Sequence, residues 1–180
     1  MKVENPQVGV LNVGSEETKG HEEVRMAAEI LSNARQFPGE YYGFVEGNDI
    51  AQGTVDVIVT DGFTGNIALK TAEGVGKMSR QFIRDAFQSS LMAKIGLMFA
   101  GRAMLKVKKR LDPRDYNGGL FLGLQGICVK SHGGTDAYGF SRAIEVGARM
   151  ARNDYTQEAA RETAKLMDQD IFSKEGGQAE

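Results

Sequence analysis

Val55-Asp56-Val57-Ile58-Val59-Thr60-Asp61-Gly62-Phe63-Thr64-Gly65-Asn66 is the stretch that decides the fold. A short apolar run rich in β-branched residues reads as a buried strand. Asp61-Gly62 reads as a tight polar turn, and a helix follows from about Asn66. The same pattern returns at Gly126-Ile127-Cys128-Val129-Lys130-Ser131-His132-Gly133-Gly134-Thr135-Asp136. In an open α/β sheet such turns gather at the carboxyl edge of the strands, where ligands bind. Each turn offers small residues for close backbone approach, polar donors and a following helix N-terminus, a set that suits an anion. We read the two turns as walls of one phosphate pocket.

Outward from these stretches, Val8–Val13 and Tyr41–Val45 read as two further strands, separated by a helix carrying Val24, Ala27, Ala28, Leu31 and Ala34. A helix over Asn66–Phe87 carries Leu69, Ala72, Val75, Ser79, Phe82, Ile83 and Ala86 as its expected buried stripe. Leu120–Leu124 and Ile127–Val129 supply one or two more strands, Ala137–Ala151 a helix, and Thr156–Phe172 a last helix with Thr156 as its N-cap. Residues 173–180 read as a frayed tail. Strands alternating with helices predict a layered α/β protein with a mostly parallel sheet, one domain over 1–180.

Composition narrows the function classes. The formal net charge of -2 gives no global pull toward nucleic acid. The single cysteine, Cys128, excludes an internal disulfide and, in its apolar run, is expected to be a buried, inert thiol. No charged-then-apolar leader opens the sequence, so secretion is not expected. One cysteine with two separated histidines, His21 and His132, cannot build a zinc site. There is no dinucleotide fingerprint and no Walker-type lysine motif, and no cofactor is expected.

Each candidate residue has a plain reading beside the functional one. Thr64, Gly65 and Asn66 are donors to phosphate or an ordinary helix cap. Ser131, His132 and Gly133 are anion donors or a second capping turn. Lys130 is a point charge for phosphate. Asp136 takes a proton or is a helix-start carboxylate. Residues 88–112 form an apolar hairpin with a basic collar, in which Gly96 and Gly101 weaken any single helix. Leu91, Ile95, Met98, Phe99, Arg102, Lys106 and Lys109 make a core or subunit contact there, or a surface for a membrane or an acidic partner.

Four stretches taken together, Gly9–Glu17, Gly43–Ile50, Asp61–Asn66 and Lys130–Asp136, resemble the PlsX family of phosphate acyltransferases, in unbroken order from about Val8 to Ala151. The resemblance implies an α/β/α sandwich of the isocitrate/isopropylmalate-dehydrogenase type, of which this chain covers about the C-terminal half. It implies a reaction of acyl-[acyl carrier protein] with orthophosphate that gives acyl phosphate, which then feeds a glycerol-3-phosphate acyltransferase in phospholipid synthesis. It also implies a cytoplasmic homodimer lying peripherally on the inner face of the membrane, with 88–112 as the membrane and dimer element.

Phosphotransacetylases are similar more distantly. Their Gly-Asn-Ile helix start falls on Gly65, Asn66 and Ile67. Their Ser-Arg-Gly turn falls on Ser131, His132 and Gly133, with Asp136 as the nearest match to the following aspartate. Histidine here replaces arginine, which moves anchoring charge toward Lys130 or outside the chain. His132, Lys130 and Asp136 are thus the catalytic candidates. The rivals are an acyl-CoA:phosphate transferase, and an inactive fragment or scaffold that keeps only the dimer and membrane surface.

Overall fold

The computed structural model describes residues 3–34, 37–110 and 112–167. It is an α/β protein whose chain divides into two compact units, one of residues up to Leu69 together with those from Ala159 on, the other Lys70–Glu158.

The first unit holds a parallel sheet of three strands, β1 (Gln7–Leu11), β2 (Glu40–Val45) and β3 (Val57–Val59), in the order β2-β1-β3. Helix α1 (Glu22–Asn33) connects β1 to β2, and the short α2 (Gly47–Gln52) connects β2 to β3. Val8, Val10, Leu11 and Val45 of the sheet and Ala28 of α1 are buried, Val8 and Val10 on one face of β1 and Leu11 on the other. Because β1 has β2 on one side and β3 on the other, the strand order reverses at the carboxyl ends of β1 and β3. This is the switch point where ligands enter α/β sheets. Past β1, Asn12 closes the loop by donating its amide to the Lys19 carbonyl at 3.0 Å. Gly20, at φ 87°, is the residue type this turn requires, since a Cβ there would meet Asn12 Oδ1 at 2.0 Å.

Helix α3 (Gly62–Gln88) begins four residues earlier than the sequence suggests, so Thr64, Gly65 and Asn66 lie in its first turns. The stripe expected to be buried on it is not: Leu69, Val75, Phe82 and Ile83 are exposed, and α3 buries no residue among those described. Periodicity marks an apolar face but does not say what covers it. The turn expected inside 88–112 is also missing. Residues Leu91–Arg110 form one helix, α4. A lone glycine costs a helix only about 1 kcal/mol, and the Leu, Met, Ala, Lys and Arg around Gly96 and Gly101 favour helix enough to run through both.

In the second unit a 3₁₀ turn (Pro113–Tyr116) leads to β4 (Gly119–Leu120), which pairs antiparallel with β5 (Val129–Lys130). The second turn motif therefore follows a two-stranded antiparallel ribbon, not a strand of the parallel sheet. Cys128 is exposed, contrary to expectation, because the ribbon is too short to bury the residues that join its strands. Helix α5 (Ala137–Arg152) packs on the 3₁₀ turn and on β5. Helix α6 (Tyr155–Met167) already includes Thr156. The chain enters it through Asp154, at φ 48°, whose carbonyl accepts from the N–H groups of Gln157 and Glu158. The expected end of this helix at Phe172 and the frayed tail lie outside the described residues.

Candidate functional site

The two turn motifs lie in different units. At the first, the Asp61 carboxylate accepts from the backbone N–H groups of Phe63 and Thr64, both at 2.9 Å, and from the Thr64 side chain. These bonds, the Thr64 hydroxyl first, hold Asp61 below the usual carboxylate range. Gly65 leaves room for Thr60, whose Cγ2 would be 2.8 Å from a Cβ there. Asn66 is exposed, and nothing among the described residues holds its amide. The start of α3 is thus capped by its own aspartate, and Asn66 is the donor left over.

The second motif is built differently. An open cavity of about 420 Å³ lies at the start of α5, lined by Ser131, His132, Gly133, Thr135 and Asp136 together with the apolar Ala137 and Phe140. Asp136 is the N-cap of α5. One of its oxygens accepts from Gly139 N–H at 3.0 Å, and the other from the Arg114 guanidinium at 2.8 Å. Those two bonds, in that order, lower its pKa. Arg114 also chelates Asp112 and lies over the Tyr138 ring, 5.3 Å from its centroid. With both oxygens engaged and its proton affinity lowered, Asp136 has the geometry of the helix-start carboxylate.

Sequence reasoning did not single out Asn117. Asn117 is buried, and its amide donates to Ser131 Oγ at 2.9 Å and to the Gly139 carbonyl at 2.7 Å. Its oxygen accepts from His132 N–H at 2.9 Å. These partners are 14, 22 and 15 residues away, so no local pattern could have announced them.

His132 is exposed, and its Nδ1 accepts from Gly134 N–H at 3.2 Å. With Nδ1 accepting, Nε2 is the ring nitrogen left to donate. Glu73 of α3 is paired with Lys70 at 3.1 Å, and that hydrogen bond, first among the causes, lowers its pKa. Lys130 does not line the cavity. Val129 lies against Gly147 of α5, and alternation along β5 turns Lys130 to the opposite face.

On α4, Leu91, Ile95, Met98, Phe99, Arg102, Lys106 and Lys109 share one exposed side, apolar in its first half and basic in its second. No helix among the described residues is long and apolar enough to cross a membrane.

Comparison with known proteins places the chain in a family. The model of a family described as "Fatty acid synthesis protein" matches residues 1–158. The chain belongs to that family. Its relatives there include the phosphate acyltransferase of Paramagnetospirillum magneticum, 56% identical over 91% of this chain and 46% of the relative. The phosphate acyltransferase of Rhodospirillum centenum is 56% identical over 89% of this chain and 45% of its own length, and that of Sinorhizobium fredii 55% over 84% and 44%. This family member spans about half the length of the curated relatives it matches. The resemblance to PlsX proteins noted in the sequence is thereby borne out.

Proposed function

We propose that this chain carries the phosphate side of a phosphate acyltransferase that makes acyl phosphate from acyl-[acyl carrier protein] and orthophosphate. The observation that supports this most is the Ser131–His132 turn, held by Asn117 at the start of α5 beside a cavity lined by both polar and apolar residues. Phosphate would sit against the Ser131 hydroxyl, the Gly133 backbone and the first N–H groups of α5, where the helix dipole favours an anion. Thr64, Gly65 and Asn66 at the start of α3 are a separate set of candidate phosphate donors, Asn66 the free one. A phosphate oxygen attacks the thioester carbonyl, the C–O bond forms, the C–S bond breaks, and the thiolate leaves and takes up a proton. His132 Nε2–H would stabilise the oxyanion, Lys130 would add charge at longer range, and Asp136 would hold the helix start. Catalysis rests on positioning and on charge stabilisation, with no covalent nucleophile.

The same reading places the three-stranded sheet in a dehydrogenase-like α/β/α sandwich of a single domain. It makes the protein a homodimer on the cytoplasmic face of the inner membrane. There α4 would lay its apolar half into lipid and its basic half on headgroups. The acyl phosphate would pass to a glycerol-3-phosphate acyltransferase.

Hydroxylamine trapping of acyl phosphate tests the proposal. Product that requires both phosphate and acyl-[acyl carrier protein] supports it, and equal use of acyl-CoA favours the soluble-donor rival. The exposed apolar stripe of α3 favours a second reading, a scaffold without chemistry. Vesicle binding without turnover by a folded chain would select that reading.

A further inference from the structure

Asn117 spends its whole amide inside the second motif. Both Nδ2 protons are used, one on Ser131 Oγ and one on the Gly139 carbonyl, and Oδ1 accepts from His132 N–H. The direction of the first bond has a chemical consequence. A hydroxyl oxygen that accepts from Asn117 keeps its own proton for another acceptor. Ser131 thereby has its proton to give, the group an anion needs.

The surroundings hold Asn117 in this role. Its backbone N–H donates to the Arg114 carbonyl at 3.3 Å, which closes the 3₁₀ turn. Gly118, at φ 113°, then lets the chain pass α5 so closely that a Cβ would meet Ala143 Cα at 3.0 Å. Arg114, from the same turn, grips Asp136 at the other end of the motif. Residues 112–118 thus brace the loop at both ends, and Asn117 is the part of the brace that sets a proton.

We infer that Asn117 is the positioning residue of the anion site: it fixes the Ser131 hydroxyl as a donor and the His132 backbone in place, for an oxyanion such as orthophosphate. This rests on the phosphate reading of the Ser131 turn and deepens it. Asn117 acts through Ser131 and His132 and does not itself touch the anion.

The test is a double-mutant cycle on the full 180-residue chain, with inorganic phosphate as the probe. Affinity is read by calorimetry, the Michaelis constants by hydroxylamine trapping, and the His132 amide by hydrogen exchange. Asn117→Asp keeps the acceptor for His132 but replaces the donor facing Ser131 with an acceptor, which then draws the serine proton inward. Asn117→Asp and Ser131→Ala should each weaken phosphate about tenfold, as loss of one hydrogen bond to a charged group does. The double variant should be little worse than either, with the acyl-donor KM unmoved. Unchanged phosphate affinity in Asn117→Asp, or two losses that simply add, would overturn the inference. If the unsubstituted chain binds no phosphate, the functional reading fails instead. In that case the brace is judged by the His132 amide in Asn117→Ala: faster exchange supports it, and unchanged exchange overturns it.

Discussion

The starts of α3 and α5 make an instructive pair. Each follows a short strand, each is capped by an aspartate, and each looked like a phosphate turn in the sequence. At α3 the cap is local. Asp61 binds the backbone two and three residues on and the Thr64 side chain, and its bonds end there. At α5 the cap is tertiary. Asp136 binds its own helix and Arg114, while Asn117 reaches in from 14 to 22 residues away. A self-contained cap spends its donors on its own carboxylate. A braced one can leave donors facing outward, and this is why the anion is proposed to sit at the α5 turn.

Substitutions should separate the two starts. The largest effect is expected for Asn117→Ala, which strands the buried Gly139 carbonyl and the His132 N–H. Denaturant unfolding should show a loss of about 2–4 kcal/mol, the cost of two unpaired groups. Gly118→Ala comes next. A left-handed backbone and the contact with Ala143 should together cost about 1–3 kcal/mol in the same measurement. Full stability in either variant would mean that the brace is ornamental.

Acid sharpens the contrast further. Asp61 and Asp136 both have folded pKa values below the usual 3.8. Each therefore contributes stability that is fully present above that value and lost as pH falls through the lower folded one. Asp136→Asn should flatten the acid limb of the melting temperature below about pH 4. Added salt should also weaken the Asp136 contribution, since its Arg114 pair is exposed, while the backbone bonds of Asp61 are screened less. Asp61→Asn should give the smallest shift at neutral pH, because asparagine caps a helix about as well as aspartate. A larger melting shift in Asp61→Asn than in Asp136→Asn would reverse the comparison.

What the sequence disclosed follows the same division between local and distant. The strand-turn-helix at Val57–Asn66 was legible because every signal for it lies within a dozen residues. The parallel pairing of β1 with β2 and β3 followed from the alternation of strands and helices. Asn117 was illegible because its meaning lies in partners far along the chain. That Lys130 lies off the cavity was equally illegible, because nothing local fixes which face of a two-residue strand it takes. The α3 stripe and Cys128 were expected in a core, since hydrophobic pattern reports a preference for burial and not the presence of a cover. In a chain that spans half the length of its relatives, those two inferences come apart most readily.

The central claim is that an anion binds at the braced turn. Titrating inorganic phosphate into the nitrogen-15-labelled chain while following its backbone amides tests it most directly. Saturable shifts centred on Ser131, His132, Gly133 and Ala137 are the expected result. Phosphate that saturates elsewhere and leaves the amides of residues 131–137 unmoved would contradict the account.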